Sequence, residues 1–226
     1  MSTLDNVVNG ISAIGALGTA SFGLVDFTKF FGGGISNAGF GHVRGAVTPY
    51  ITVTGGPGEV LFGAPQVLDT LKANWMNGMA KADQKAVAKS MIRLLLKPGT
   101  APQMARLAGV NAEHLTEAAQ HIEDNADSDM GEPAMKALGA FDVAVSATLD
   151  LGYERGDQYY RNASKFLAAV ISVVLAMVGG AIVFGSKPSS LILFAMVGLI
   201  ATPLAPVAKD VSTAIQTAVK AVSVFK

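Results

Sequence analysis

Hydrophobic positions are distributed unevenly along the chain. Over residues 166–185 and 190–207 nearly every position is apolar, and Lys187 is the single charge between Lys165 and Lys209. A helix needs about 20 such residues to cross a hydrocarbon layer ~30 Å thick. Leu, Ile, Val and Phe dominate the first run, each favouring insertion by roughly 0.3–0.6 kcal/mol. The linker "SKPSS" is too short for anything but antiparallel neighbours. Ser172, Ala176 and Gly180 recur every fourth residue, a helix-packing ridge of small side chains that lets membrane helices approach closely. The pattern predicts a transmembrane hairpin. A buried hairpin in a soluble core is the competing reading, but the polar remainder is small for wrapping both helices.

Upstream the pattern changes several times. Residues 6–25 carry no charge and are long enough to span, yet glycines interrupt them; they read as a spanning or re-entrant helix with Ser12, Ala16 and Ala20 as its small-residue ridge. Residues 27–64 are rich in Gly and Phe and read as an interfacial linker. Phe27, Phe30, Phe31 and Phe40 are placed at the membrane surface, and "YITVTGGPG" as a short strand ending in a turn. From Pro65 the helical period takes over, with Val67, Leu68, Leu71, Trp75 and Met79 on one face. A second helix covers 80–97 and stops at Pro98-Gly99. A short one opens at Pro102 and ends near Gly109, and Asn111 caps another that reaches about Asn125. After the acidic loop "DNADSDMGEP", Pro133 opens a helix with Leu138, Phe141, Val145 and Leu149 on one side, continuing toward the membrane. Beyond Lys209 an amphipathic helix places Val211, Ile215, Ala218 and Val222 together.

The expected architecture is therefore mainly α: an integral membrane protein with segments 1–26 (membrane), 27–64 (interfacial linker), 65–165 (helical cytoplasmic domain), 166–207 (hairpin) and 208–226 (amphipathic helix). Composition agrees. Charged residues are 15%, below the usual quarter, and mean hydropathy is +0.42. Formal net charge is +0, so there is no global basic footprint for nucleic acid. The absence of cysteine excludes disulfides, thiolate metal sites and cysteine nucleophiles. "MSTLDN" lacks the positive start of a secretory signal.

Flanking residues give an orientation. Tyr159, Tyr160, Arg161 and Lys165 precede the hairpin as membrane-interface anchors. Arg155, Arg161 and Lys165 flank one end, Lys209 and Lys220 the other, with only Lys187 in the turn. Both hairpin ends then face the cytoplasm. If 6–25 also spans, Lys29 lies inside and the N-terminus outside. The expected location is a bacterial inner membrane.

Lys81, Lys85, Lys89, Arg93 and Lys97 form a basic interaction ridge at every fourth residue. Between Leu107 and Met135 there are acids and no Lys or Arg. The first reading docks the ridge on that acidic segment, within one chain or between subunits. Anionic lipid contact is the second, a solvated face the third. Asp150, Glu154 and Asp157 share a face and are assigned to Arg155, Arg161 or a neighbouring subunit. His114, Glu117, His121 and Asp124 lie on one helical face as a metal candidate, without the spacing of a zinc protease. An EF-hand fails because Lys136 stands where its last Glu belongs. No phosphate loop, dinucleotide fingerprint or nucleophile elbow occurs. The spans hold no ionisable group, which argues against a pump or transporter.

From Phe141 onward, "FDVAVSATLDLGYERGDQYYRNASKFLAAVISVVLAMV" resembles a loose group of uncharacterised bacterial inner-membrane proteins. Asp150, Glu154, Arg155, Tyr159, Tyr160 and Arg161 carry the likeness; the tryptophan common at this helix is missing. The resemblance implies an N-terminal apolar segment, a helical cytoplasmic middle and a C-terminal transmembrane hairpin, and lends no activity or cofactor. The expected function is a non-enzymatic, self-associating membrane scaffold or assembly subunit, a homo-oligomer in the lipid bilayer. The alternative is a membrane-perturbing or pore-forming protein that uses its hydrophobic hairpin. A metal-dependent enzyme built on His114 and His121 is the third class.

Overall fold

The computed structural model describes residues 3–53, 63–125 and 129–224, with side chains described for 7, 9–53, 63–125 and 129–206. These residues are mainly helical and contain no strand. The helices are α1 (Thr3–Phe27), α2 (Asn37–Ile51), α3 (Ala64–Met76), α4 (Lys81–Leu94), α5 (Ala101–Ala108), α6 (Ala112–Glu123), α7 (Glu132–Phe184) and α8 (Pro188–Val224). The chain divides into two compact units, one of residues 1–35 with 161–226 and the other of residues 36–160.

In the 36–160 unit the core is organised by α7. Ala137, Phe141, Val145, Leu149 and Tyr153 stand four residues apart and are all buried. Fourfold spacing puts them on one face of a helix. Val43, Val47 and Tyr50 of α2, Val67 and Leu71 of α3, Ile92 of α4, Met104 of α5 and Leu115 of α6 complete the cluster. The Tyr50 and Phe141 rings meet edge to face at 6.3 Å, a favoured aromatic geometry. Glycine sets the α2–α7 distance. A Cβ on Gly39 would overlap the Gly156 carbonyl, and one on Gly152 would lie 2.5 Å from Ala46 Cβ. Trp75 fills the adjoining space, and its Nε1–H donates to the Ser36 carbonyl at 2.9 Å. Local punctuation follows the sequence. Asn111 Oδ1 caps α6 by accepting the His114 N–H, and Gly109, left-handed at φ 68°, ends α5.

Three expectations are corrected here. Residues 37–51 form a helix where a linker and the start of a strand were expected, and Tyr50 and Ile51 are helical. Phe40 is only 3% exposed and belongs to the core. Its helical period with Val43, Val47 and Tyr50 was masked by intervening glycines, which lower helix propensity but here permit close packing. Residues 54–58 of the expected strand and turn lie outside the described residues. Met79 also leaves the apolar face of α3, which stops at Met76; Gly78 turns the chain at φ 69°.

In the other unit α1 packs against α8. A Cβ on Gly18 would overlap the Ala201 carbonyl and come within 2.6 Å of Ala205 Cβ. Among the described side chains of α1, Gly15, Gly18, Ser21 and Val25 are buried. The expected ridge is displaced by one register, since Ala16 and Ala20 are exposed. Glycine wins the contact because it removes the Cβ at the point of closest approach. The end of α7 and the start of α8 run antiparallel. Gly180 lies against the Phe194 ring, and a Cβ on Gly198 would lie 2.7 Å from the Ser172 carbonyl. Ser172 is fully buried, with Ala176 and Gly180 part-buried on the same side. Pro203 and Pro206 lie inside α8, as membrane helices tolerate.

Among the described residues three helices are long and apolar enough to cross a membrane: Asn9–Phe30, Glu132–Phe184 and Pro188–Pro206. The 53 residues of α7 measure ~80 Å at about 1.5 Å per residue. A ~30 Å layer therefore accommodates only its apolar part. There the outward residues are apolar: Phe166, Val170, Val174, Val178 and Ile182 are exposed, Ile182 by 80%. Ile192, Met196 and Leu199 do the same on α8.

Candidate functional site

The densest polar constellation joins α4 to α7. Gln84, Ala88 and Ile92 face the core, which places Lys81, Lys85, Lys89 and Arg93 along the edge of α4. Lys81 Nζ lies 3.0 Å from Glu154 Oε2 and 3.0 Å from Asp157 Oδ2. Lys85 Nζ lies 2.5 Å from Asp150 Oδ1. Lys89 and Arg93 converge on Asp142 Oδ2 at 3.7 and 3.6 Å. Beyond the end of α4, Lys97 reaches Glu123 Oε1 at 3.5 Å. The partners on α7 descend as the cations on α4 ascend, so the two helices are antiparallel along the ladder.

Tyr153 lies under the ladder, fully buried. Its hydroxyl reaches the Gln84 carbonyl at 3.4 Å, and burial pushes its pKa up to about 12. The Gln84 amide donates to the Met79 carbonyl at 2.7 Å. The hydrogen bond to Glu154 raises the Lys81 pKa; desolvation opposes it, and Asp157 adds to the rise. Asp142 Oδ1 is buried without a hydrogen-bond partner among the described residues. Each ion pair keeps some solvent contact, so each contributes at most ~1 kcal/mol. Their common alignment is what positions α4. The arrangement holds helices together.

This corrects the expected pairing. Among the described residues, Lys97 is the member of the basic ridge that meets the acidic 107–135 segment, at Glu123. Lys81, Lys85, Lys89 and Arg93 use α7, where Asp150, Glu154 and Asp157 meet Lys85 and Lys81 of the same chain. The acids at 142, 150 and 154 carried the matching fourfold period, but the pairs close across 65 residues or more at Lys85–Asp150 and Lys81–Glu154. Sequence spacing alone cannot reveal that.

The metal candidate is not assembled. His114 Nδ1 and Glu117 Oε2 approach to 3.7 Å. The Asp124 carboxylate accepts from the Gln120 amide at 2.9 Å. Among the described residues no three imidazoles or carboxylates are grouped to hold a metal ion. Of the expected interface anchors, Tyr159, Arg161 and Lys165 are exposed and Tyr160 is part-buried. The Tyr159 ring lies 5.5 Å from the His42 ring.

One surface escaped the sequence reading. Met135, Gly139, Val143, Ala147 and Leu151 recur on α7 at fourfold spacing and are all exposed, Val143 by 70% and Leu151 by 51%; the next position is Arg155. Nothing lies within 4 Å of the Cβ position on Gly139. The signal was present in the sequence, but the neighbouring period of Phe141, Val145 and Leu149 claimed the helix as one apolar face.

Comparison with protein-family models, curated proteins and solved structures finds no match for this chain.

Proposed function

We propose that the protein is a non-enzymatic integral membrane scaffold or assembly subunit that associates with further copies of itself. The apolar parts of α7 and α8 form the transmembrane hairpin and α1 a third span, with the N-terminus outside and the 36–160 unit and C-terminus cytoplasmic. A bacterial inner membrane is the proposed location.

The observation that supports assembly is the exposed Met135–Leu151 stripe. The basic ridge and the small-residue contacts, which first suggested self-association, are occupied within the chain. The stripe is not. It alternates large and small apolar residues, and a second copy of the same stripe is a self-complementary partner for it. Val143 is at its midpoint, so it lies near the two-fold axis in either direction of pairing. The chain has no cysteine, which makes single-cysteine variants clean. In membranes, Val143→Cys is expected to crosslink to a dimer under mild oxidation and exposed Gln103→Cys to remain monomeric. Equal crosslinking of both, or of neither, would remove the proposal.

The membrane-perturbing alternative draws on one observation. The tip between α7 and α8 exposes Val183 and Phe184 beside a lone cation, Lys187. Depolarisation of cells on expression would favour it. An assembly subunit leaves the membrane potential unchanged.

A further inference from the structure

We propose that Phe27, Phe30 and Phe31 form a preorganised wedge that inserts at the headgroup–acyl boundary and fixes the depth of α1 in the bilayer. The proposal rests on the membrane reading of α1 and adds the partner that the end of this helix meets.

The rings are exposed by 58, 82 and 67%, respectively. They nevertheless pack on one another. Phe27 and Phe30 are stacked at 6.2 Å, and Phe31 meets both edge to face, at 5.4 and 5.6 Å. The cluster belongs to a built turn. The Phe31 N–H donates to the Thr28 carbonyl at 3.0 Å and the Gly33 N–H to the Lys29 carbonyl at 3.0 Å. The Thr28 hydroxyl donates to the Val25 carbonyl at 2.6 Å and accepts the Ile35 N–H at 3.4 Å. Gly32, Gly33 and Gly34 follow at φ 65°, 93° and 45°, a left-handed run that side chains resist. A Cβ on Gly34 would overlap the Thr28 carbonyl. The triple glycine thus reverses the chain and presents the aromatics.

The occupant follows from position and charge. The cluster closes the apolar stretch Asn9–Phe30 and continues its exposed face from Leu24. Lys29 is 2.8 Å from Asp26, so the nearest cation is locally compensated. An uncharged aromatic wedge at the end of a span matches the boundary region, where interfacial apolar faces sit roughly 5–10 Å deep, and it does not require anionic lipid.

Phe30→Trp tests this in vesicles of zwitterionic lipid brominated at shallow or deep acyl positions. Signal from the native Trp75 is subtracted using the parent protein. Leu199→Trp, on the exposed face of α8, reports whether the protein is inserted at all. The expected result is that the added indole of Phe30→Trp loses most of its emission with shallow bromines and little with deep ones. Quenching of Leu199→Trp without quenching of Phe30→Trp overturns the wedge and leaves the membrane reading intact. If Phe30→Trp is also shielded from aqueous iodide in that case, the cluster is covered by protein. Absence of quenching at both positions overturns the membrane reading and the wedge with it.

Discussion

Lys85 Nζ stands 2.5 Å from Asp150 Oδ1, with the Lys81 pairs on one side of it along the helices and the Asp142 pairs on the other. One contact of this kind is weak when half-exposed. A row of them in register decides which face of α4 meets α7, because a one-turn slip would leave an end cation without its carboxylate. Lys85→Glu is expected to destabilise the 36–160 unit by ~1 kcal/mol after allowance for solvent screening. Lys85→Glu combined with Asp150→Lys is expected to recover most of that loss. Thermal unfolding of the detergent-solubilised protein at low and high salt measures both, and the difference narrows with salt.

Alkaline pH should loosen the same region. The Tyr153 pKa lies at about 12 against an ordinary value of 10.0 because burial disfavours the phenolate. A folded-state pKa raised in this way gives stability that is complete below pH 10 and lost as pH rises toward 12. Raised for a different reason, the pairing of its ammonium with Glu154, the Lys81 pKa gives stability that is complete below 10.5 and lost at still higher pH. Both changes have the same sign. Unfolding followed from pH 8 upward is expected to show a steep drop above pH 10, and Tyr153→Phe to flatten it. A phenolate absorbance titration in which all tyrosines ionise together near pH 10 would contradict the burial argument.

Close glycine contacts in the other unit predict steric selectivity. Gly18→Leu places a side chain where the Ala201 backbone stands, whereas Gly23 has nothing within 4 Å of its Cβ position. The first substitution is expected to separate α1 from α8 and the second to be tolerated. Thermal unfolding of the detergent-solubilised protein reads the difference: little changed in Gly23→Leu and clearly lowered in Gly18→Leu.

Much of the fold was legible where local chemistry fixes an element. The cap at Asn111, the Pro65 start, the glycine stop at Gly109 and the apolar runs of α7 and α8 each act within a turn or two of themselves. What escaped depends on distant partners. Phe40 reads as interfacial until Gly39 is seen to let α2 approach Gly156 of α7. The basic ridge was visible as a row, but its partners were not, because the carboxylates on α7 become neighbours only through the intervening helical turns. In α1 the expected ridge was off by one register, since alanine and glycine look equally small in a sequence while only glycine admits a backbone at the contact.

The final prediction separates two faces of one helix. Val145 is 1% exposed and Val143 is 70% exposed, although they are two residues apart on α7. A charge at Val145 enters the core without a partner, a loss of several kcal/mol, so Val145→Glu is expected to unfold the 36–160 unit. A charge at Val143 meets solvent in a monomer and costs little there. If two copies pair through the stripe, Val143→Glu brings two like charges and a desolvated carboxylate into that contact. Val143→Glu should therefore keep the monomer's thermal transition and reduce the native size of the detergent-solubilised protein. An unchanged size with an unchanged transition would show that the stripe is not where copies meet.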